Sequence, residues 1–369
     1  MSGARTWLDL AARAALRAGG DVEPNPMVGA VIVREGRILG LGHHRCFGGL
    51  HAEREALADC RRRGESPRGA TAYVTLEPCR HHGKQPPCTD ALIEAGVAGV
   101  VYARQDPHGA SGGGAGVLRR AGITCELSGE STLATRLSDP FVKRVTTGLP
   151  WVVAKWAQSA DGCMTTPPGA DRRISNALSH ARVHRLRARV DAIITGIGTV
   201  LADDPMLTAR GVRRVRRVAR RVVIDSRGRL PATSRLATSA GEAPVLVMHA
   251  GGGVSLPRGV EGASAPGADG CVDLSAMLRL LASRYDATNV LVEGGPRLLK
   301  AFFDAGLVDE AVVYEASHVL GRVEGSGVAP QIKEDWGFEP VRRKPLGGDV
   351  ERVFRRRLGR ARAGDAGEI

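Results

Sequence analysis

Apolar positions in the first 127 residues form short runs separated by polar or glycine-rich turns. Leu8, Ala11, Ala12, Ala15 and Leu16 recur at helical spacing and predict a first packing helix. The stretch "PNPMVGAVIVREGRILGLG" predicts a strand, a turn at "REG" and a returning strand. The pattern continues with a helix at 51–62, a strand at 69–78, a helix at 87–96, a strand at 97–104, and a helix and strand within 116–127. This alternation predicts an α/β layer domain.

The helix predicted at 87–96 carries its own boundary residues. Pro87 suits the first helical position, and Gly96 suits the C-terminal cap.

The pattern restarts around 139–151 and again alternates strands with helices. Strands are predicted at 151–159, at 191–201 running into a glycine turn, at 220–230 and at 243–250, and the run 289–314 continues the alternation. A helix is predicted at 174–190, with Leu178, Val183, Leu186 and Val190 on its buried side. We therefore expect a second α/β domain at 148–360 after a first at 1–147, with a disordered tail at 361–369.

Composition supports a globular protein, since 43% of the 369 residues are hydrophobic and 25% are charged. We find neither a bilayer-spanning apolar run nor a secretory signal, which predicts a cytoplasmic protein without a membrane partner. Seven cysteines at irregular spacing argue against a disulfide framework and leave metal binding or burial. Burial is the expectation for five of them: Cys46, Cys60, Cys125, Cys163 and Cys271.

The formal net charge is +13, and arginine runs occur at 213–221 and 352–362. Such runs raise the possibility of a nucleic-acid partner. The sequence contains no recognisable binding module and few aromatic residues for base stacking. We therefore predict solvated basic faces and no nucleic-acid partner. A positive field of this kind also concentrates phosphorylated small molecules.

His51, Cys79 and Cys88 provide one imidazole and two thiols, the ligand types of a catalytic zinc site with an open position for water. Cys88 begins a predicted helix, whose N-terminus lowers the pKa of a thiol. Glu53 lies two residues after His51 and is not needed as a ligand, so it can serve as the general base. The competing interpretation is an ordinary helix start with an acid in its first turn.

His-Ala-Glu followed by Pro-Cys and a later Cys resembles the zinc nucleobase deaminases. The long spacer in "PCRHHGKQPPC", together with "PNPMVGAVIV", resembles the deaminase half of the bifunctional riboflavin-biosynthesis deaminase/reductase family. The resemblance implies a three-layer, cytidine-deaminase-like fold and a diaminopyrimidinone substrate carrying ribose phosphate. It assigns Asn25, His44 and Lys84 to substrate binding, although Asn25 also suits a turn between prolines and His44 an ordinary loop.

The second half contains "KWAQSADG", "GIGTVLADDPMLTAR", "VVIDSRGR" and "LVEGGPRLL", which together resemble the reductase half of that family, a domain similar to dihydrofolate reductase. A lone Gly-x-Gly is weak evidence by itself. The resemblance implies NADPH bound at Ala157, Gly198, Thr199, Ser226, Gly294, Gly295 and Pro296. It implies substrate binding at Arg187, Asp203, Leu207, Arg210 and Glu293. A turn at 203–205 and solvated arginines are the competing interpretations.

Four positions depart from the family pattern, and they are Ala30, Leu50, Arg80 and Arg173. None of them removes a predicted zinc ligand or Glu53. The leading hypothesis is a bifunctional riboflavin-biosynthesis enzyme that uses zinc and NADPH, acts on a phosphorylated pyrimidine and forms a homo-oligomer. The alternatives are a deaminase of another pyrimidine with a degenerate second domain, and a non-enzymatic nucleic-acid-binding protein.

Overall fold

The computed structural model describes residues 3–165, 174–321, 327–332 and 336–357. The chain forms two compact units. The first contains the residues up to Pro150 together with Ala282–Thr288, and the second contains Trp151–Leu281 and the described residues from Asn289 onward. Arg173 and the predicted tail at 361–369 lie outside the described residues. Among the described helices, none is long and apolar enough to cross a bilayer.

The first unit contains six helices and five strands among its described residues up to Pro150. The helices are α1 (Ala4–Ala15), α2 (Ala52–Arg62), α3 (Cys88–Ala95), α4 (Gly114–Arg120), α5 (Thr132–Arg136) and α6 (Asp139–Thr147). The strands are β1 (Gly29–Arg34), β2 (Arg37–His43), β3 (Thr71–Val74), β4 (Gly99–Tyr102) and β5 (Thr124–Leu127). α3 begins at Cys88 with Pro87 as its N-cap, one residue later than predicted, and Gly96 caps it in the left-handed conformation as predicted.

The strands of the first unit form one sheet in the order β2-β1-β3-β4-β5. β1 is antiparallel to both β2 and β3, whereas β3, β4 and β5 run parallel. One sheet face packs against α2, α3 and α4 around Ile32, Val74 and Leu118. The other face packs against α1 and α5 around Leu8 and Val101. The result is a helix–sheet–helix arrangement in three layers, as predicted.

Two glycines on β2 allow α2 to lie directly on the sheet. A Cβ atom on Gly40 would lie 2.3 Å from the carbonyl oxygen of Ala56, and one on Gly42 would lie 2.3 Å from the amide nitrogen of Ala56. Real Cβ atoms do not approach backbone this closely, so any side chain at either position would push the helix away. The "GLG" sequence therefore fixes the position of α2, including its first turn with His51 and Glu53.

The remaining elements alternate strands and helices. The strands are β6 (Trp151–Gln158), β7 (Ala192–Gly196), β8 (Arg220–Ile224), β9 (Val245–His249), β10 (Glu261–Ser264), β11 (Asn289–Glu293), β12 (Glu310–Glu315), β13 (Phe338–Leu346) and β14 (Asp349–Arg356). The helices are α7 (Ala177–Arg187), α8 (Ile197–Asp203), α9 (Arg235–Thr238), α10 (Leu274–Arg284) and α11 (Pro296–Asp304).

The second sheet has the order β10-β9-β8-β7-β11-β6-β12-β14-β13. The strands from β10 to β12 run parallel, and β14 and β13 complete the sheet antiparallel. Leu291 lies among buried Ile193, Val223 and Val312 in the core. Because parallel strands end at the same edge, the segments that follow β6, β7, β8 and β11 are close together, which is where open α/β sheets bind ligands. The α/β class predicted for both halves is confirmed.

Three local predictions are wrong. Leu178 is 54% exposed, and it lies in the first turn of α7 beside the β13–β14 turn at Gly347. The segment after Gly196 forms α8 instead of continuing as a strand. Cys46 and Cys271 are exposed, whereas Cys60 and Cys163 are buried as expected and Cys125 is half-buried.

The arginine run at 213–221 is not a uniformly solvated face. Arg217 pairs with Asp191, and Arg220 pairs with Glu261 at 2.8 Å. Arg221 is fully buried. In the second run, Arg352 and Arg355 lie on β14 and pair with acids on β12. These arginines therefore form ion pairs with acids of the same fold or are buried, and the expectation of a solvated basic face is wrong for them.

We predict that Gly42→Ala destabilises the first unit, because the added methyl must displace the backbone of α2. Overpacking of this kind lowers the free energy of unfolding by about 1–3 kcal/mol. The measurement is urea unfolding of the full chain followed by circular dichroism. Gly129→Ala is the matched control, since a Cβ atom there meets nothing within 4 Å. Equal stability of the two variants would contradict the close-packing argument.

Candidate active sites

The predicted zinc ligands come together in the first unit. His51 precedes the first residue of α2, Cys79 follows β3, and Cys88 begins α3. The Nδ1 atom of His51 lies 3.5 Å from the Sγ atom of Cys79 and 3.4 Å from that of Cys88. All three ligand atoms lie within 4.8 Å of one another. The structure thus brings all three predicted ligands into one cluster.

The spacing of these atoms fits zinc. With Zn–S near 2.3 Å and Zn–N near 2.0–2.1 Å, a tetrahedral ion separates an N and an S ligand by about 3.5 Å. The observed N–S separations of 3.5 and 3.4 Å match that value. The backbone N–H of Cys88 also donates to the sulfur of Cys79 at 3.4 Å, which favours a thiolate there. Three protein ligands leave one position of a tetrahedral ion for water.

Glu53 is buried in this cluster, with 4% of its surface exposed. Burial raises the pKa of Glu53 to about 7, and the negative charge of Cys79 acts in the same direction. Hydrogen bonds from Cys88 and His51 lower the pKa of Cys79 to about 4. The cluster therefore combines metal-binding donors with a carboxyl group that can hold or release a proton near neutrality.

His44 and Asn25 form a hydrogen-bonded pair beside the ligands. The Nδ1 atom of His44 lies 2.9 Å from the carbonyl oxygen of Leu50, which can only accept, so Nδ1 carries the proton. The Nε2 atom lies 3.2 Å from the amide nitrogen of Asn25. Burial lowers the pKa of His44, and in the neutral ring Nε2 accepts from that amide. The Asn25 nitrogen is thereby engaged, and its oxygen remains an acceptor for a ligand.

One cavity of about 300 Å³ is lined by Asn25, His44, His51, Glu53 and Cys79. Lys84 lies at its mouth with its ammonium 3.8 Å from the centre of the Phe47 ring. The cavity is also lined by residues that the sequence analysis missed, among them Glu77, His81, Asp106 and His108. Glu77 had a sequence signal, since it directly precedes Pro78-Cys79. His81 lies two residues after Cys79 in the "PCRHHGKQPPC" spacer, whereas Asp106 and His108 lie on the loop after β4 and reach the cavity only through the tertiary fold.

Glu77 connects the cavity wall to α4. Its carboxylate accepts from the backbone N–H of Ala115 at 2.9 Å and from that of Asp106 at 3.3 Å. Asp106 in turn accepts from the hydroxyl of Ser111 at 2.6 Å. This chain of hydrogen bonds holds the loop after β4 against the segment that carries Cys79.

The positions that depart from the family pattern leave the ligand cluster intact. Leu50 contributes its carbonyl oxygen to His44. Arg80 extends from the cluster and donates to the carbonyl oxygen of Gly109 at 3.3 Å. Ala30 is buried in the core on β1.

In the second unit, Lys155 in the middle of β6, Glu293 at the end of β11 and Arg187 at the end of α7 form a buried ion triad. Lys155 and Glu293 occupy paired positions on these neighbouring strands. The ammonium of Lys155 lies 2.8 Å from the Glu293 carboxylate, and Arg187 donates to both oxygens of that carboxylate at 2.7 and 2.9 Å. Burial alone would raise the pKa of Glu293, but these two cations hold it well below its usual range. The sequence analysis missed Lys155, although a lysine within an apolar strand was an available signal.

The segment between α8 and β8 carries the other predicted substrate residues. Leu207 is buried and has a positive φ of 50°. Arg210 is exposed, and its backbone N–H donates to the Nδ1 atom of His184 at 3.2 Å. Asp203 is the last residue of α8. Burial lowers the pKa of Arg210, and the neighbouring Arg187 and Arg235 lower it further, which marks a cationic region with affinity for an anion.

The predicted cofactor residues lie in the segments at this same edge of the sheet. Ala157 is near the end of β6, Gly198 and Thr199 are in α8 after β7, and Ser226 follows β8. Gly294, Gly295 and Pro296 lead from β11 into α11. A Cβ atom on Gly198 or Gly295 would meet nothing within 4 Å, so the backbone there is open to close approach by a ligand. These residues fit a nucleotide cofactor.

Two known domain families match the chain. The zinc-binding region of cytidine and deoxycytidylate deaminases matches residues 1–104. The RibD C-terminal domain matches residues 150–347.

Full-length relatives match both halves together. Riboflavin biosynthesis protein RibD of Aquifex aeolicus is 35% identical over 361 residues, which cover 95% of this chain and 98% of the relative. The RibD protein of Escherichia coli is 40% identical over 310 residues, which cover 81% of this chain and 83% of the relative. A diaminohydroxyphosphoribosylaminopyrimidine deaminase/5-amino-6-(5-phosphoribosylamino)uracil reductase from Thermotoga maritima has a solved structure that matches with a TM-score of 0.82 at 34% identity, covering 96% of this chain and 98% of that one. The chain therefore belongs to the RibD family of riboflavin biosynthesis proteins.

Proposed function

We propose that this chain catalyses two consecutive steps of riboflavin biosynthesis. The first unit deaminates 2,5-diamino-6-(5-phosphoribosylamino)pyrimidin-4-one by hydrolysis, and the second reduces the ribosyl group of the product to ribityl with NADPH. The observation that carries the proposal is the His51, Cys79 and Cys88 cluster with Glu53 buried beside it, in a chain that also matches the RibD C-terminal domain. The family also favours this bifunctional enzyme over a nucleic-acid-binding protein.

For deamination, zinc held by His51, Cys79 and Cys88 supplies the Lewis acidity that makes a water molecule reactive near neutral pH. Glu53 accepts a proton from the attacking water and delivers it to the departing ammonia. Its burial and its pKa of about 7 suit both halves of this transfer.

Asn25, His44 and Lys84 are proposed to hold the pyrimidine and its phosphate. The Nδ1–H tautomer of His44 fixes the amide of Asn25, so the Asn25 oxygen accepts from an amino group on the ring edge. Lys84 at the cavity mouth can meet the ribose phosphate as a point charge.

For reduction, bound NADPH supplies the hydride, and we place it along the glycine segments after β7 and β11. Lys155 on β6 is held by Glu293 on the neighbouring strand, and we propose that its ammonium donates a hydrogen bond to the sugar as the ring opens. Arg187 uses two of its nitrogens on Glu293 and a third on the carbonyl oxygen of Thr208. Arg210 has more donors available and is the principal candidate for the phosphate, with Asp203 and Leu207 forming the neighbouring wall.

We further propose a cytoplasmic homo-oligomer with domains at 1–147 and 148–360. The seven free cysteines support a reducing compartment. Support for self-association comes from β13, which is the last strand of its sheet and exposes Val341. Sedimentation of the purified chain measures the oligomeric state, and limited proteolysis measures the domain boundary.

The function is tested with the purified full chain, the diaminopyrimidinone phosphate and NADPH, with ammonia release and NADPH oxidation followed separately. Both signals are expected, and oxidation should depend on prior deamination. Ammonia release without any oxidation would instead favour a deaminase with a degenerate second domain.

We predict that Cys79→Ala and Cys88→Ala each reduce the zinc content of the purified protein from one ion per chain to a small fraction, because each removes one of three protein ligands. Elemental analysis provides the measurement. Cys60→Ala is the matched control, since Cys60 is buried in the core of the same unit outside the cluster. Full zinc retention in both ligand variants would exclude this site.

We predict that Glu53→Gln retains zinc and the fold but loses ammonia release by a factor of about 100 or more, because the amide cannot carry the proton. NADPH oxidation with pre-deaminated substrate should stay within about twofold of the unmodified chain, since Glu53 belongs to the other unit. Loss of zinc, or a parallel loss of reduction, would contradict the proposed role.

We predict that Arg210→Ala raises the reductase KM for the phosphorylated substrate about tenfold or more, since a charge-assisted hydrogen bond contributes about 1.5–3 kcal/mol and 1.4 kcal/mol is a factor of ten. The KM for NADPH should change little. Arg187→Ala should weaken both substrate binding and turnover, because it also leaves Glu293 without one of its two cations. Normal substrate binding by both variants, or weakened NADPH binding alone, would assign these arginines to another role.

A further inference from the structure

Arg221 is a fully buried arginine on β8, and the oxygen atoms that accept its hydrogen bonds are uncharged. Its guanidinium donates to the hydroxyl of Ser239 at 2.7 Å and to the carbonyl oxygen of Ser239 at 2.8 Å. It also donates to the carbonyl oxygens of Ala243 and, at 3.3 Å, Met206. Burying a guanidinium on neutral acceptors costs free energy, although the charge of Glu242 offsets part of that cost, so a neutral side chain would fill the same space with a smaller penalty.

The Met206 carbonyl belongs to the segment that carries the predicted reductase substrate residues. Met206 directly precedes Leu207, which holds a positive φ of 50°. A leucine keeps that strained conformation only where the surroundings fix it. The hydroxyl of Ser239 also contacts the sulfur of Met206 at 3.9 Å. Arg221 and Ser239 thus hold both the backbone and the side chain of the residue before Leu207.

The rest of segment 204–210 is tied to helices on two sides. On one side, Asp204 accepts from the backbone N–H of Arg235 at the start of α9. On the other, Thr208 accepts from Arg187, and the N–H of Arg210 donates to His184, both on α7. Met206 lies between these ties, and Arg221 supplies its contact with the strand.

We infer that Arg221 is a positioning residue for the reductase, which fixes segment 204–210 in the shape that presents Leu207 and Arg210 to the substrate. This inference rests on the proposed reductase function. Four acceptor atoms on three residues must be met at once, and the planar guanidinium reaches them with two nitrogens, whereas the single ammonium of a lysine does not. Arg221 touches neither substrate nor cofactor in this role.

The test uses the full chain with Arg221→Lys and Arg221→Met. We expect the reductase KM for 5-amino-6-(5-phosphoribosylamino)uracil to rise roughly tenfold or more, since small misplacements of binding groups have effects of this size. The kcat, the KM for NADPH and the rate of ammonia release should stay within about twofold. Hydrogen exchange measured by mass spectrometry, without ligand, should become faster in peptides covering 204–210.

Leu278→Ala is the control for lost stability, because Leu278 is fully buried on α10 away from this segment. It should lower the melting temperature and leave the substrate KM and the exchange of 204–210 unchanged. The inference is overturned if folded Arg221 variants keep both the KM and the exchange rate of the unmodified chain, or if Leu278→Ala reproduces their changes.

If the Arg221 variants do not fold, Ser239→Ala decides, because it removes one acceptor of Arg221 and leaves the carbonyl acceptors. A raised KM with faster exchange in 204–210 supports the inference, and unchanged values overturn it. If the unmodified chain shows no reductase activity, the proposed reductase function is wrong. The hydrogen-exchange rates of 204–210 would then still show whether Arg221 fixes this segment.

Discussion

Compensation of buried carboxylates is the constraint on which both sites depend. A carboxylate without water must either find donors or take up a proton. Glu293 finds two cations, Lys155 and Arg187, and stays ionised. Glu53 lies beside the thiol groups and the imidazole of the ligand cluster, where burial outweighs the opposing charge of His51 and raises the pKa of Glu53 to about 7. The same residue type is therefore a fixed anion in one unit and a carboxyl group with a pKa near neutrality in the other, which is the property that the proposed proton transfer needs.

The same constraint explains the arginine-rich composition. Glu351 is buried on β14 and is met by Arg182 through two hydrogen bonds and by Arg342 at 3.0 Å. Asp349 accepts from the backbone of Asn176 and from the hydroxyl of Ser179. These contacts fasten α7 to the β13–β14 hairpin. Arg187 lies on the same helix. The contacts of Glu351 and Asp349 with α7 therefore help to place Arg187 beside Glu293.

The two sites are built differently. His51 and Glu53 belong to a helix start whose position is set by backbone packing on Gly40 and Gly42, and Cys88 begins a second helix of the same layer. Leu207, which we propose to contact the reductase substrate, belongs to a segment without regular structure that is held by hydrogen bonds from α7, α9 and β8. A metal centre needs ligands at fixed distances, which rigid helix ends provide. A substrate-binding loop needs side chains that fix its backbone, which is the role that we infer for Arg221.

This difference also determines what could be predicted from the sequence. The zinc ligands and Glu53 lie in short motifs at element boundaries, so local spacing was enough to place them together, and the strand–helix alternation was enough for the α/β class. Lys155 lies opposite Glu293 only because β11 inserts between β7 and β6 in the sheet. β11 is more than a hundred residues away from β6 in the sequence, so local spacing does not predict this pairing. The other arginines of the run at 213–221 are exposed or half-buried, and no local sequence pattern distinguishes the fully buried Arg221 from them. The prediction that Leu178 is buried was wrong for a related reason. Helical periodicity identifies the apolar face of a helix, but it does not show how far the neighbouring layer covers that face. Sequence patterns thus predict contacts made within one element or its boundary, whereas contacts between distant strands require the topology.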